Sequence, residues 1–294
     1  MAESLSLSRV EAFAPNPGSQ YRSLRVFRQS RNALGGLVIL VFFALFAILG
    51  PTLSPYDPNL PSLGGRLASP SAAHLLGTDE LGRDLMTRLA IGARFSLLLS
   101  LIATGAATAL GVPLGLIGGY YGGRVDFVLQ RIVDVFLVLP SIVLAIILVS
   151  VIGAGISSII VAIALTSLPV YARLARAVTL TLQQDEFVVA ARVVGMAERR
   201  IIFRHVLPNA LGPLIVQVSL GMGAALLTAS ALSFLGLGVQ PPTAEWGAML
   251  SQGRTYATAA PFELIIPGLA ITLTILGFNL VGDGLRDALD PRQR

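Results

Sequence analysis

Six stretches of this chain are so apolar that a water-soluble fold has no room for all of them. They are Leu34–Leu53, Phe95–Ile117, Phe127–Ile152, Ile156–Tyr171, Leu211–Leu235 and Leu264–Val281. A helix needs about 20 apolar residues to cross the hydrocarbon core of a bilayer, so the pattern predicts an all-α membrane protein with six transmembrane helices. The fourth stretch is short, but its apolar pattern continues into "YARLARAVTLTL", which carries that helix past the bilayer. The first begins too deep in the chain, and is too long, to be a cleaved signal peptide. Only 13% of the residues are charged, against about 25% in soluble domains.

Six spans put both termini on one side, and arginine says which. With the N-terminus inside, fifteen arginines fall on inner segments and five on outer ones, at 66, 83, 88, 94 and 254. Cytoplasmic loops collect basic residues, so the chain is oriented N-in and C-in. The net charge of +5 is thus a matter of topology and gives no sign of nucleic-acid binding. An inner arm, residues 1–32, should precede a first helix with its outer loop, 33–93, and a membrane core, 94–290. Arginines at 22, 25, 28 and 31 line one side of a helix, either as an amphipathic element on the inner leaflet or as a plain anchor.

Composition also excludes chemistry. All 21 basic residues are arginine; a Walker A loop requires lysine, so the chain is not itself a P-loop ATPase. Cysteine is absent, which removes disulfides and thiolate sites. His74 and His205 are too far apart in sequence to read as a metal pair. A proton-coupled carrier carries several carboxylates in its spans, and here only Asp134 and Asp283 approach that. A membrane enzyme needs a convergent catalytic cluster, and none is visible. Any energy source for transport is expected on a partner.

Within the spans, Arg131 and Asp134 are three apart on one helix face, so each can neutralise the other. That is a structural pair, a partner contact or a piece of a substrate path. Pro140 breaks the third span and Pro169 interrupts the fourth. Gly111 and Gly115 have the small-xxx-small spacing that lets another helix approach closely. Outside, Asp79, Glu80, Arg83 and Asp84 in "GTDELGRD" make a binding-protein contact, a cap on the pathway or a solvated loop. Trp246 marks the outer interface, where tryptophan is favoured, or stacks on substrate.

The most charged inner stretch is "EFVVAARVVGMAERRIIFRHVLPN", residues 186–209. Gly195 invites a turn between two helices, and Glu198 is an acid suited to the start of the second. That helix should run through Ile201, Ile202 and Phe203 and stop at Pro208. Three exposed apolar residues beside arginines make a docking surface more than an idle loop.

This stretch resembles the "EAA" loop of ABC-importer permeases: Glu-Ala-Ala, three residues, Gly, nine residues, then Ile-x-Leu-Pro. Ala190, Ala191, Gly195, Leu207 and Pro208 fall in the matching places, and His205 takes the Ile position. Val189 stands where the motif has glutamate, which puts in doubt any salt bridge made there; Glu186 lies one turn earlier. "HLLGTDELGRD" (74–84) and "FNLVGDGLRDALDPR" (278–292) resemble signatures of the dipeptide/oligopeptide/nickel branch, in its second (C-type) permease subunit. The resemblance implies a type I ABC importer permease fold and a bacterial inner-membrane location. It implies partners: a second homologous permease, two ABC ATPases that hold ATP and Mg²⁺, an external solute-binding protein and the lipid bilayer. No cofactor is implied on this chain. The implied ATPase-coupling residues, within loop 172–209, are Glu186, Ala190, Ala191, Gly195, Glu198, Arg199, Arg200, Phe203 and Pro208. Peptides are the implied cargo, with nickel or another small solute as the alternative and a secondary carrier behind both.

Overall fold

The computed structural model describes residues 25–289, and among them the fold is wholly helical apart from one isolated bridge, Thr78 to Asp84. The helices are α1 (Arg31–Leu53), α2 (Leu85–Tyr121), α3 (Gly123–Val135), α4 (Ser141–Ile152), α5 (Ile156–Leu182), α6 (Glu186–Val193), α7 (Glu198–Ile201), α8 (Leu207–Phe234), α9 (Trp246–Gly253) and α10 (Pro261–Leu289). Five of the expected spans are long apolar helices, the fifth counted from Glu198 to Phe234.

The third span is in two pieces. α3 ends at Val135, a turn follows, and α4 begins after Pro140. Proline has no amide hydrogen and pushes the residue before it out of the helical region, so the break falls where Pro140 stands. α4 has 12 residues, about 18 Å at 1.5 Å per residue, too short to span alone. Pro169, by contrast, leaves α5 unbroken. Membrane helices tolerate an internal proline when neighbours re-satisfy the freed carbonyls.

α2 and α5 form the most extensive helix pair, and α10 packs on both α8 and α1. Glycine explains the first contact. Gly111, Gly115 and Gly119 on α2 face the carbonyls of Leu168, Ala172 and Arg176 on α5, so both helices advance four residues per contact. A Cβ at Gly111 would lie 2.7 Å from the Leu168 oxygen, and one at Gly115 would fall well inside contact distance of the Ala172 oxygen.

Ser30 caps α1, its Oγ accepting the Ala33 amide at 3.3 Å. Of the expected inner arm, residues 25–29 are helical and residues 31–32 open α1; residues 1–24, with Arg22, lie outside the described residues, as do residues 290–292 of the C-terminal signature.

Candidate functional site

The inner hairpin is built around one backbone conformation. α6 closes in a Schellman motif: the Met196 amide donates to the Ala191 carbonyl and the Gly195 amide to the Arg192 carbonyl, both at 3.0 Å. This motif needs a left-handed residue after the cap, which favours glycine, and Gly195 has φ +80°. Met196 then packs in the same cluster as Ala191, the apolar contact that accompanies such a cap. Ala190 faces outward while its carbonyl accepts the Val194 amide.

After the turn, α7 starts at Glu198, whose carboxylate suits the positive end of a helix. Pro208 does not end the helix, contrary to the sequence expectation. A π-turn over Ile202–Val206 carries the chain into α8, with the Leu207 amide donating to the Ile202 carbonyl. Pro208 sits in the first turn of α8, where its missing amide hydrogen costs little. α7 is therefore continuous with a span.

The hairpin has two faces. Val188, Ala191, Ile201, Ile202 and Val206 are buried against Tyr120, Val112 and Leu116 of α2 and Tyr171 and Ala175 of α5. The expectation that Ile201 and Ile202 face out is thereby corrected: they are core residues, and Phe203 alone of the three is exposed, at 58%. The outer apolar surface comes instead from Val193 and Val194 at the tip, 81% and 84% exposed. Arg199, Arg200 and Arg204 surround Phe203 on the same exposed stretch, with the Arg199 guanidinium 6.0 Å from the Phe203 ring. Glu186 is exposed in the first turn of α6, and Pro208 is exposed at the far edge.

Three links tie the hairpin and its flanks to neighbouring helices. The Tyr120 hydroxyl donates to Glu198 Oε2. Gln183 Nε2 donates to the Gly119 carbonyl. Arg176 makes a two-pronged bond to Asp126, both distances 2.6 Å. Sequence reasoning missed Tyr120, Val193 and Val194. Its signal for Tyr120 was an aromatic pair, Tyr120–Tyr121, at the inner end of a span, which says nothing about a partner 78 positions later.

The other expected sites lie elsewhere. Arg131 and Asp134 are not a pair. Asp134 accepts Arg173 Nη2 from α5 at 2.9 Å, while Arg131 lies over the Phe127 ring at 5.1 Å. Asp134 is in the last turn of α3, where α5 packs alongside and presents the nearer cation.

The "GTDELGRD" segment is not a solvated loop. Asp79, Arg83 and Asp84 are buried. Asp79 accepts Arg83 Nε at 2.7 Å and the Leu81 and Arg83 amides at 2.9 Å, and pairs with Arg88 Nε at 3.1 Å. Asp84 caps α2 through the Thr87 amide and pairs with His74. Arg83 Nη2 reaches Glu80, whose amide donates to Glu263 of α10. Asp79, Arg83 and Asp84 thus face the interior of the chain. Trp246 is likewise interior, fully buried beside Phe43 with its indole N–H on the Leu89 carbonyl at 3.0 Å. Its neighbour Glu245 explains this. The Glu245 carboxylate caps α9 and accepts the Ser96 hydroxyl, which draws the loop down onto α2.

Comparison with known proteins agrees with this architecture. The family model described as binding-protein-dependent transport system inner membrane component matches residues 111–294, and that of the N-terminal TM domain of oligopeptide transport permease C matches 20–70. The chain is 45% identical to a dipeptide transport system permease protein of Alkalihalophilus pseudofirmus, over 98% of this chain and 97% of that one. It is 45% identical to a di/tripeptide permease of Pseudomonas aeruginosa over 90% of each, and 44% to a glutathione permease of Pectobacterium atrosepticum over 91% and 89%. The inward-facing MetNI methionine ABC transporter shares the fold, with a TM-score of 0.57 at 18% identity over 70% of this chain and 98% of that one. The relatives are transporter permease subunits, a generally non-catalytic class that works with ATPase and substrate-binding partners. The chain belongs to the binding-protein-dependent transport system inner membrane components, in the branch with the oligopeptide permease C N-terminal segment, and is a multi-pass protein of the bacterial inner membrane.

Proposed function

We propose that this chain is one of two homologous permease subunits of an ATP-driven importer of short peptides, working with two cytoplasmic ABC ATPases and an external binding protein. ATP and Mg²⁺ belong to the ATPases in this reading, and the permease carries no cofactor. The peptide cargo is supported by relatives that transport dipeptides, di- and tripeptides and glutathione.

The observation that carries the proposal is the two-faced hairpin. Its exposed apolar tip and arginines suit a groove on an ATPase, and its continuity with α8 makes it a lever. Movement of the ATPase pair then shifts α7 and α8 as one piece, opening the pathway alternately inward and outward. Glu186, Ala190, Ala191, Gly195, Glu198, Arg199, Arg200, Phe203 and Pro208 shape or present that lever. Residues 1–32 act as an inner arm, 33–93 as an added helix with its outer loop, and 94–290 as the working core with coupling loop 172–209.

A mild-detergent pull-down from the native membrane, read by mass spectrometry, is expected to recover two ATP-binding-cassette subunits and a second permease. Recovery of the chain alone, or as a homodimer, would overturn the proposal. Gly195→Val is expected to leave the chain in the membrane but to uncouple ATP hydrolysis from uptake. No neighbour lies within 4 Å of a Cβ added there, so the change acts through the left-handed backbone, where a β-branched residue costs roughly 1–2 kcal/mol. Normal uptake by this variant would remove the turn from the mechanism.

A further inference from the structure

The hairpin reaches α5 and α8 through the chain itself, but it reaches α2 only through side chains. Tyr120, in the last turn of α2, stands at that junction. Its ring is buried in the cluster that holds Val188, Ala191 and Ile201, and its hydroxyl donates to Glu198 Oε2. Arg192, on the other arm of the hairpin, completes the group. Its Nη2 donates to the Tyr120 oxygen at 3.4 Å, its guanidinium lies 5.6 Å from the Tyr120 ring, and its Nε is 4.0 Å from Glu198 Oε1.

One residue of α2 therefore touches both arms of the hairpin across the Gly195 turn. Arg192 and Glu198 are each about half exposed, at 46% and 48%, so water screens their mutual attraction. The directional part is the hydrogen bond from the buried phenol to a charged acceptor, the stronger class of such bonds. Val189 gives α6 no carboxylate at its own level, and the ionic fastening falls to Glu198 beyond the turn.

We infer that Tyr120, Arg192 and Glu198 form a clasp that passes movement of the docking hairpin to α2, with Tyr120 as its positioning residue. The clasp rests on the coupling role proposed for the hairpin. Because α2 is the main partner of α5, the clasp makes the hairpin move both helices of that pair, where chain continuity alone moves only α5.

The test uses the complete transporter, with both permeases, the ATPases and the binding protein, in proteoliposomes. Uptake per ATP hydrolysed is measured for Tyr120→Phe, Glu198→Ala and the double variant. Tyr120→Phe keeps the ring packing, so membrane level and subunit assembly should match wild type. Uptake per ATP should fall about tenfold, the scale of a hydrogen bond to a charged group. The double variant should be little worse than the poorer single one, since each single variant already removes the Tyr120–Glu198 bond. Tyr121→Phe, on the exposed neighbouring ring, should behave as wild type. Wild-type uptake per ATP in both single variants would overturn the clasp, as would losses that multiply in the double variant. If Gly195→Val uncouples while Tyr120→Phe does not, the clasp alone falls; if no ATPase assembles with the wild-type chain, the coupling reading falls with it.

Discussion

Asp79→Ala is expected to cost the folded chain about 3–5 kcal/mol, the usual penalty for removing one partner of a buried ion pair. Asp79 faces two guanidiniums, Arg83 and Arg88, both almost wholly withdrawn from solvent. Its other oxygen holds the Leu81 and Arg83 amides that shape the turn before α2. Without the carboxylate, two buried cations face each other with fewer partners. Arg88 is then left with the Pro58 and Pro242 carbonyls, at 3.1 and 3.3 Å, which join two outer loops through one side chain. Trp246 is the chain's one tryptophan and lies buried in the outer half, so its fluorescence follows unfolding of this region in detergent. A fall of roughly 10 °C in the midpoint is expected. Asp57→Ala, an exposed carboxylate of the same segment, should stay within about 0.5 kcal/mol of wild type. If Asp79→Ala melted within about 2 °C of wild type, the cluster would be hydrated, and the loop would again be a candidate contact for a binding protein.

The spans were legible because their signal is local. An apolar run of span length and an arginine count on either side need no knowledge of distant neighbours. The hairpin was legible for a similar reason: Gly195 and Glu198 act within a few residues of themselves. Failures came wherever a residue's partner lies far along the chain. "ELGRD" alternates charge like a solvated loop, and its contacts with His74 and with Glu263, 183 positions away, help turn it into a buried knot. Trp246 carries an interfacial residue type, but Glu245 capping α9 against Ser96 pulls it inside. Ile201 and Ile202 looked exposed because they adjoin arginines; a helix turns 100° per residue, so their side chains point to the opposite face. Arg131 and Asp134 have the right spacing to pair. Spacing permits a contact, and α5 supplied a better one.

Glycine to alanine at two places on α2 should have opposite signs. Gly105 has nothing within 4 Å of a built Cβ, so Gly105→Ala should stabilise the helix by up to ~1 kcal/mol through propensity alone. At Gly115 the same methyl meets the Ala172 carbonyl, with Ala175 Cβ at 2.7 Å and the Arg176 amide nitrogen at 2.8 Å. Two of these three neighbours are backbone of α5, which cannot rotate away, so the helices must part. Overpacking of this kind costs about 1–3 kcal/mol. The strain is shared along the seam, because Gly111 and Gly119 also meet α5 carbonyls one turn either side. Parting the pair also loosens the cluster that joins Tyr120, Tyr171 and Ala175 to the hairpin, so Gly115→Ala should weaken transport as well as stability. Gly115→Leu, adding three more carbons at the same point, should leave little monodisperse protein after detergent extraction, whereas Gly105→Leu should extract normally. Midpoints for the two alanine variants, measured side by side, decide the matter. If Gly115→Ala were raised as Gly105→Ala is, then α2 and α5 would not meet along this glycine seam, and the register that brings Tyr120 to the hairpin would be lost with it.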